Sequence, residues 1–166
     1  ALKRLAGEAL FTELALFLDW YVPRIRGAPL GDAGKAEFFS LWQALDRALS
    51  AAEQSWVLFD VQSANLFWLP ARRGIARVGF IDFQDMFFSP AAYHVASLIF
   101  DARVDVPAEI GAALLGRYVA ARRTAAAFDA DSFRAAFAIA AALRTMKNMG
   151  AFARFAETGK PQYVRH

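Results

Sequence analysis

The sequence predicts a mainly helical α+β domain, and three observations carry that expectation. Apolar residues recur at i, i+3 and i+4 in several separate segments. One region alone, between Trp56 and Ile81, reads as short β-type runs about a turn. Proline, glycine and acidic residues punctuate the helical stretches where starts and stops are expected.

Residues 5–20 read as an amphipathic helix with Phe11, Leu14, Phe17 and Leu18 on one face, and Pro23 is expected to end it or lie just past its end. Residues 27–34 form a Gly/Pro loop in which Asp32 is the expected helix cap. Residues 38–51 follow as a second helix with Phe39, Trp42, Leu45 and Leu49 aligned. Residues 56–59 and 66–69 are β-type runs, 70–74 a turn and 75–81 a third run, so the last two runs pair as a hairpin. Ser89 and Pro90 suit the cap and first position of a helix over 91–100. Asp105, Pro107 and Glu109 open another, ending near Arg123, and Asp131 opens a long one through Phe133, Phe137, Leu143 and Met146.

Composition bounds the partners. Of the 166 residues, 57% are hydrophobic, enough for one domain with a real core. The longest unbroken apolar run, residues 135–143, is too short to cross a bilayer, and Lys3, Arg4 and Glu8 break any signal-peptide pattern. The absence of cysteine excludes disulfides and thiolate metal sites. Net charge is +3, but the arginines are scattered rather than gathered in a stripe. The expectation is a soluble cytoplasmic protein with neither a nucleic-acid nor a membrane partner. The chain opens on Ala1, already in a helical pattern, which suggests a piece of a longer protein with a partner segment upstream.

The chemistry concentrates in SWVLFDVQSANLFWLPARRGIARVGFIDFQD. Asp60 and Asn65 stand in a D-x-x-x-x-N spacing, and Asp82 ends the apolar run of IDFQD. Phosphoryl transfer needs a group that orients an attacking hydroxyl and takes its proton, and oxygen ligands for Mg²⁺. Asp60 is the candidate base; Asn65 and Asp82 are the candidate metal and cofactor ligands. The spacing alone is weak, since Asp60 and Asn65 are also ordinary turn residues. The hairpin, the strand-terminal Asp82 and the Ser-Pro step that follows add context.

With those surroundings the chain resembles the C-terminal lobe of the aminoglycoside phosphotransferase/choline kinase superfamily, relatives of the protein kinases. The branch it most resembles holds the bacterial N-acetylmuramate/N-acetylglucosamine anomeric kinases of cell-wall recycling. The likeness runs through LALFLDWYVP, NLFWLP, ARVGFIDFQD, PAAYHVASLIFDARVDVP and FARFAETGKPQY. It implies a protein-kinase-like lobe over residues 1–166 with a small hairpin carrying the catalytic loop. It also implies ATP and Mg²⁺ as cofactors, an amino-sugar hydroxyl as acceptor, and a nucleotide-binding lobe missing from this chain. Asp85 matches a second acidic residue of the family.

The chain departs from the pattern at Leu58, Phe59 and Gln62, where relatives carry histidine, arginine and histidine, and at His94, where a bracing aspartate is usual. The expectation is therefore a preserved base-and-metal set, with Asp85 and Gln62 as possible accessories, in a loop that has lost its charged anchor. That leaves two rivals to the sugar kinase: a non-catalytic binding member, motivated by Phe59 and His94, and an aminoglycoside phosphotransferase. The second would want a concentrated acidic cleft, and the C-terminal helices show no acidic cluster.

Other candidates are weaker. Gly31, Gly34 and Lys35 lack the spacing of a phosphate loop and read as helix entry. Trp20 and Tyr21 beside Asp19 suit packing, or else a sugar-binding surface. Arg144 and Lys147 share a helix face, read as solvated, with contact to an anionic group such as a lactyl carboxylate as the alternative. Arg72 and Arg73 are expected in solvent. His94 and His166 have no metal-ligand partner at useful spacing.

Overall fold

Two antiparallel ladders, one nested inside the other, are set against a helical body. The structure is a computed structural model and describes residues 4–124 and 127–165; His166 lies outside the described residues. The outer ladder pairs β1 (Gln54–Leu58) with β4 (Met86–Pro90), and the inner ladder pairs β2 (Leu66–Trp68) with β3 (Val78–Phe80). In the outer ladder Val57 faces Phe87 and both are buried, while their neighbours Trp56 and Phe88 meet edge-to-face at 5.8 Å. This alternation is what a strand with one covered face requires.

The helices are α1 (Glu8–Leu16), α2 (Val22–Arg26), α3 (Asp32–Ala51), α4 (Ala92–Ile99), α5 (Ala108–Arg122) and α6 (Ala130–Glu157). Helix α6 is the axis of the body. It packs on α4, on α1 and on a π-helical turn, Phe17–Tyr21. Its buried stripe includes the small residues Ala136, Ala140, Ala141, Gly150 and Ala153, which let backbones approach closely, and Gly150 marks the tightest point. A Cβ there would lie 2.3 Å from the Leu16 carbonyl carbon and 2.4 Å from the Phe17 nitrogen. Leu10, Leu14, Leu18, Tyr93, Ala96 and Leu143 fill the same core.

Several boundaries differ from expectation, for physical reasons. Pro23 does not end the first helix, which starts at Glu8 and runs through the π turn into α2. A proline cannot donate to the carbonyl four residues back, and the wide turn just before it absorbs that lost bond. The stop is Gly27, left-handed at φ 73°, whose N–H caps the Pro23 carbonyl at 2.8 Å. Helix α3 begins at Asp32 itself with Gly31 at the cap, so Asp32 sits in the first turn and does not cap through its side chain. Ser89 and Pro90 end β4 instead of opening a helix, because the ladder to Gln54 and Ser55 claims them. Asp129, not Asp131, caps α6, accepting from the N–H groups of Asp131 and Ser132. The inner hairpin pairs as expected, but its second strand is shorter than the 75–81 run read from the sequence: residues 75–77 belong to a 3₁₀ turn, Gly74–Arg77, and β3 holds only Val78–Phe80.

Gly150→Ala should be strongly destabilising, by about 1–3 kcal/mol or more, because its methyl group meets backbone and not a side chain that can swing away. Thermal melting or urea denaturation that leaves the variant level with the parent would refute this packing.

Candidate active site

The nested ladders bring two connecting segments side by side. Residues 59–65 run from β1 to β2 and residues 81–85 from β3 to β4. Two backbone bonds fasten them: Ile81 N–H donates to the Asn65 carbonyl at 3.1 Å, and Phe59 N–H to the Asp85 carbonyl at 2.9 Å. Asn65 closes a 3₁₀ turn, Ser63–Asn65. Its Nδ2 donates to the Asp60 carbonyl at 2.9 Å and to Asp82 Oδ2 at 3.3 Å. Asp60, Asn65 and Asp82 thus form one hydrogen-bonded cluster. Asp82 is left-handed at φ 61°, a conformation aspartate tolerates better than most residues, and its Oδ1 accepts from Gln84 Nε2. Asp85 joins through its carbonyl; among the described residues its side chain lines a smaller hollow with Glu13 and Arg4.

Asp60 lies on the rim of a cleft of about 370 Å³ between the loop, α1 and α6. Phe59, Phe152 and Phe155 supply apolar wall, and Arg103, Arg144, Lys147 and Arg154 supply positive charge. Asn65 and Asp82 are not among the residues lining it. Asp60 is exposed and lines the cleft, while its backbone carbonyl is bonded by Asn65.

The loop is held from four directions. His94 Nε2 on α4 accepts the Leu58 N–H at 2.8 Å. Arg144 on α6 donates to the Phe59 carbonyl and to the Tyr93 hydroxyl, both at 3.2 Å. Asp101 takes the Ser63 N–H on Oδ2 at 2.6 Å and the Arg103 N–H on Oδ1 at 2.9 Å. Arg103 in turn donates to Gln62 Oε1. The expected loss of a charged anchor is thus corrected. The position of the usual aspartate carries a neutral acceptor, and charge reaches the loop through Asp101 and Arg144. Phe59 packs edge-to-face on Phe87 at 5.3 Å and under the Lys147 ammonium, and Gln62 is buried.

These contacts shift titrations. Burial lowers the His94 pKa below the ordinary histidine value, keeping it neutral and able to accept. Burial works against the charged form of Asp101, but the bonds from Ser63 and Arg103 and the charge of Arg144 outweigh it and hold the carboxyl below its usual range. Burial raises the Tyr93 phenol, with Arg144 opposing.

The donor set suits a hard divalent cation. Asn65 and Asp82 offer oxygen ligands, and Mg²⁺ is commonly held by one or two protein oxygens with phosphate and water completing the shell. Among the described residues no group of three or more His, Asp or Glu side chains could hold a metal by itself.

The other sequence candidates fall out as follows. Arg144 and Lys147 are 3% and 8% exposed, so their face is not solvated. Tyr21 stacks on Phe17 at 5.2 Å, and neither it nor Trp20 is among the cleft residues. Gly31, Gly34 and Lys35 belong to the entry of α3, and Lys35 pairs with Asp19 at 3.3 Å. Arg72 and Arg73 are exposed. Asp101, Arg103, Gln84, Phe152 and Phe155 escaped sequence reasoning. An aspartate closing an apolar helix is a visible signal, but nothing in the sequence ties Asp101 to Ser63, 38 positions away.

A helical body thus bears a nested β element in which Asn65 bonds the Asp60 backbone carbonyl and the Asp82 carboxylate beside a cleft. Residues 1–135 match the model of the APH family, described as the phosphotransferase enzyme family, and the chain belongs to that family. It is 36% identical over 157 residues to the N-acetylmuramate/N-acetylglucosamine kinase of Caulobacter vibrioides, covering 94% of this chain and 42% of that protein. The Pseudomonas putida and Pseudomonas aeruginosa proteins of the same name are 33% and 31% identical, each over 92% of this chain and 44% and 45% of their own lengths. The chain thus spans less than half the length of these curated relatives.

Two outcomes follow from the loop anchors. With its folded pKa lowered, His94 contributes stability that is present above its unfolded value of about 6.5 and is lost as pH falls from there through the folded value. His94→Gln, which retains an acceptor but does not titrate, should flatten that part of the stability–pH curve; an unchanged curve would refute the assignment. Asp101→Asn turns an NH₂ toward one of two N–H donors and should cost about 1–3 kcal/mol in denaturant melts; an unchanged midpoint would show that the bonds to Ser63 and Arg103 carry no weight.

Proposed function

We propose that the chain is the acceptor-binding, metal-holding part of an ATP-dependent kinase that phosphorylates a hydroxyl of an amino sugar, N-acetylmuramate or N-acetylglucosamine. The observation that carries this is the bonded Asp60–Asn65–Asp82 cluster, whose Asp60 lines the cleft. In this reading the acceptor lies in the cleft with its hydroxyl at Asp60. As the hydroxyl oxygen bonds to the γ-phosphorus of ATP, the bond to the bridging oxygen breaks and ADP departs. The hydroxyl proton passes to the Asp60 carboxylate, a step of a kind typically worth ~10²–10⁴-fold. Asn65 and Asp82 would hold Mg²⁺, which supplies charge neutralisation at the phosphates.

The sequence contains no glycine-rich phosphate loop. We assign the nucleotide cradle to a further segment, in keeping with relatives more than twice as long as the matched region. The exposed apolar side chains Phe67, Trp68, Val78 and Phe80 on the inner hairpin are a surface such a segment could cover. The ATP requirement makes the cytoplasm the proposed setting; among the described residues no helix is long and apolar enough to cross a membrane. The non-catalytic alternative loses its motive, since Phe59 and His94 both support the loop. The aminoglycoside alternative is disfavoured by the cations of the cleft, which would repel a polycation.

The test uses the full-length protein with Mg-ATP and a panel of N-acetylmuramate, N-acetylglucosamine, an aminoglycoside and choline. Transfer to one or both amino sugars is expected, with Asp60→Asn reducing it at least ~100-fold without a change in melting temperature. Asp82→Asn, which keeps the side-chain shape and tolerates the left-handed backbone, should likewise abolish Mg²⁺-dependent turnover. Full activity in either variant would overturn these roles.

A further inference from the structure

The cleft beside Asp60 carries more positive charge than a neutral sugar would call for. Among the described residues lining it are four cations, Arg103, Arg144, Lys147 and Arg154, against two carboxylates, Glu13 and Asp60. Arg103 and Arg144 are engaged with the loop through Gln62 and the Phe59 carbonyl. Even so, the buried Nε of Arg144 has no hydrogen-bond partner among the described residues. Arg144, Lys147 and Arg154 follow one another along one face of α6, at steps of three and seven residues. Like charges lining one wall of a cleft repel, and an anion placed among them offsets that cost. The Arg154 guanidinium lies 5.4 Å from the Phe155 ring centroid. Stacking of that kind engages the π face and leaves its in-plane N–H donors able to fork onto a carboxylate.

We infer that this stripe of α6 is a subsite for a carboxylate on the acceptor, with Arg154 as its specificity-determining residue. A carboxylate-bearing amino sugar is then favoured over its neutral counterpart. The inference rests on the kinase reading for the identity of the cleft's occupant, so binding and turnover are measured apart.

Calorimetric titration of the full-length protein, with Mg²⁺ and a non-hydrolysable ATP analogue present, compares N-acetylmuramate with N-acetylglucosamine, which differ by a lactyl ether. The acid should bind about tenfold or more tightly, with an advantage that shrinks as salt rises. Arg154→Gln should bring the two affinities within about twofold, since one charged contact accounts for about that factor. Arg154→Lys should retain part of the preference, and Glu13→Gln, which removes a repelling carboxylate, should widen it. Equal affinity for the two sugars, binding of neither, or an undiminished preference in Arg154→Gln overturns the inference. Preferential binding of the acid with no phosphate transferred to either sugar supports the subsite and refutes the kinase reading.

Discussion

The candidate site depends first on the nesting of two antiparallel ladders. Pairing β1 with β4 encloses β2 and β3, so the two segments joining outer to inner strands must emerge side by side. Bonds from Ile81 to Asn65 and from Phe59 to Asp85 tie those segments at both ends. Asn65 and Asp82, 17 residues apart, can then share a hydrogen bond while Asp60 stays exposed in the same cluster. An open hairpin with no outer ladder would leave Asp82 on an untethered strand end.

The second dependence is on α6. Gly150 allows it to press against the backbone at Leu16 and Phe17, and that approach sets where its next turns stand. From there Arg144 reaches the carbonyl of the residue before Asp60, and Lys147 covers the ring of the same residue. The helix both steadies the loop and walls the cleft, so core packing and the charge of the cleft are properties of one element. The support is also redistributed relative to the family pattern. A neutral histidine accepts the Leu58 N–H, while the ionised groups stand at Asp101 and Arg144. A carboxylate that receives two N–H bonds and faces an arginine remains charged through the neutral range, so the anchor is moved and not lost.

Much of this was legible in the chain. Helical periodicity located the bodies of α3, α4, α5 and α6, and the turn residues located the inner hairpin, because both signals are local. The same local reading failed where a distant partner decided. Ser89 and Pro90 look like a helix start and become the end of a strand because β1 pairs with them. Pro23 looks like a stop and is carried through by a π turn packed on α6. Arg144 and Lys147 look like a solvated face and are buried against the loop.

By itself the sequence determined the candidates, Asp60, Asn65 and Asp82, and that they flank a hairpin, since residue type and spacing are written in the chain. Only the tertiary structure decided that they meet, that Asp60 faces a cleft, and that His94, Asp101 and Arg144 hold the loop. It alone gathered four cations beside Asp60. The reason is the same in each case: these contacts join residues tens of positions apart, and such contacts arise from packing and ladder pairing, on which short-range periodicity is silent.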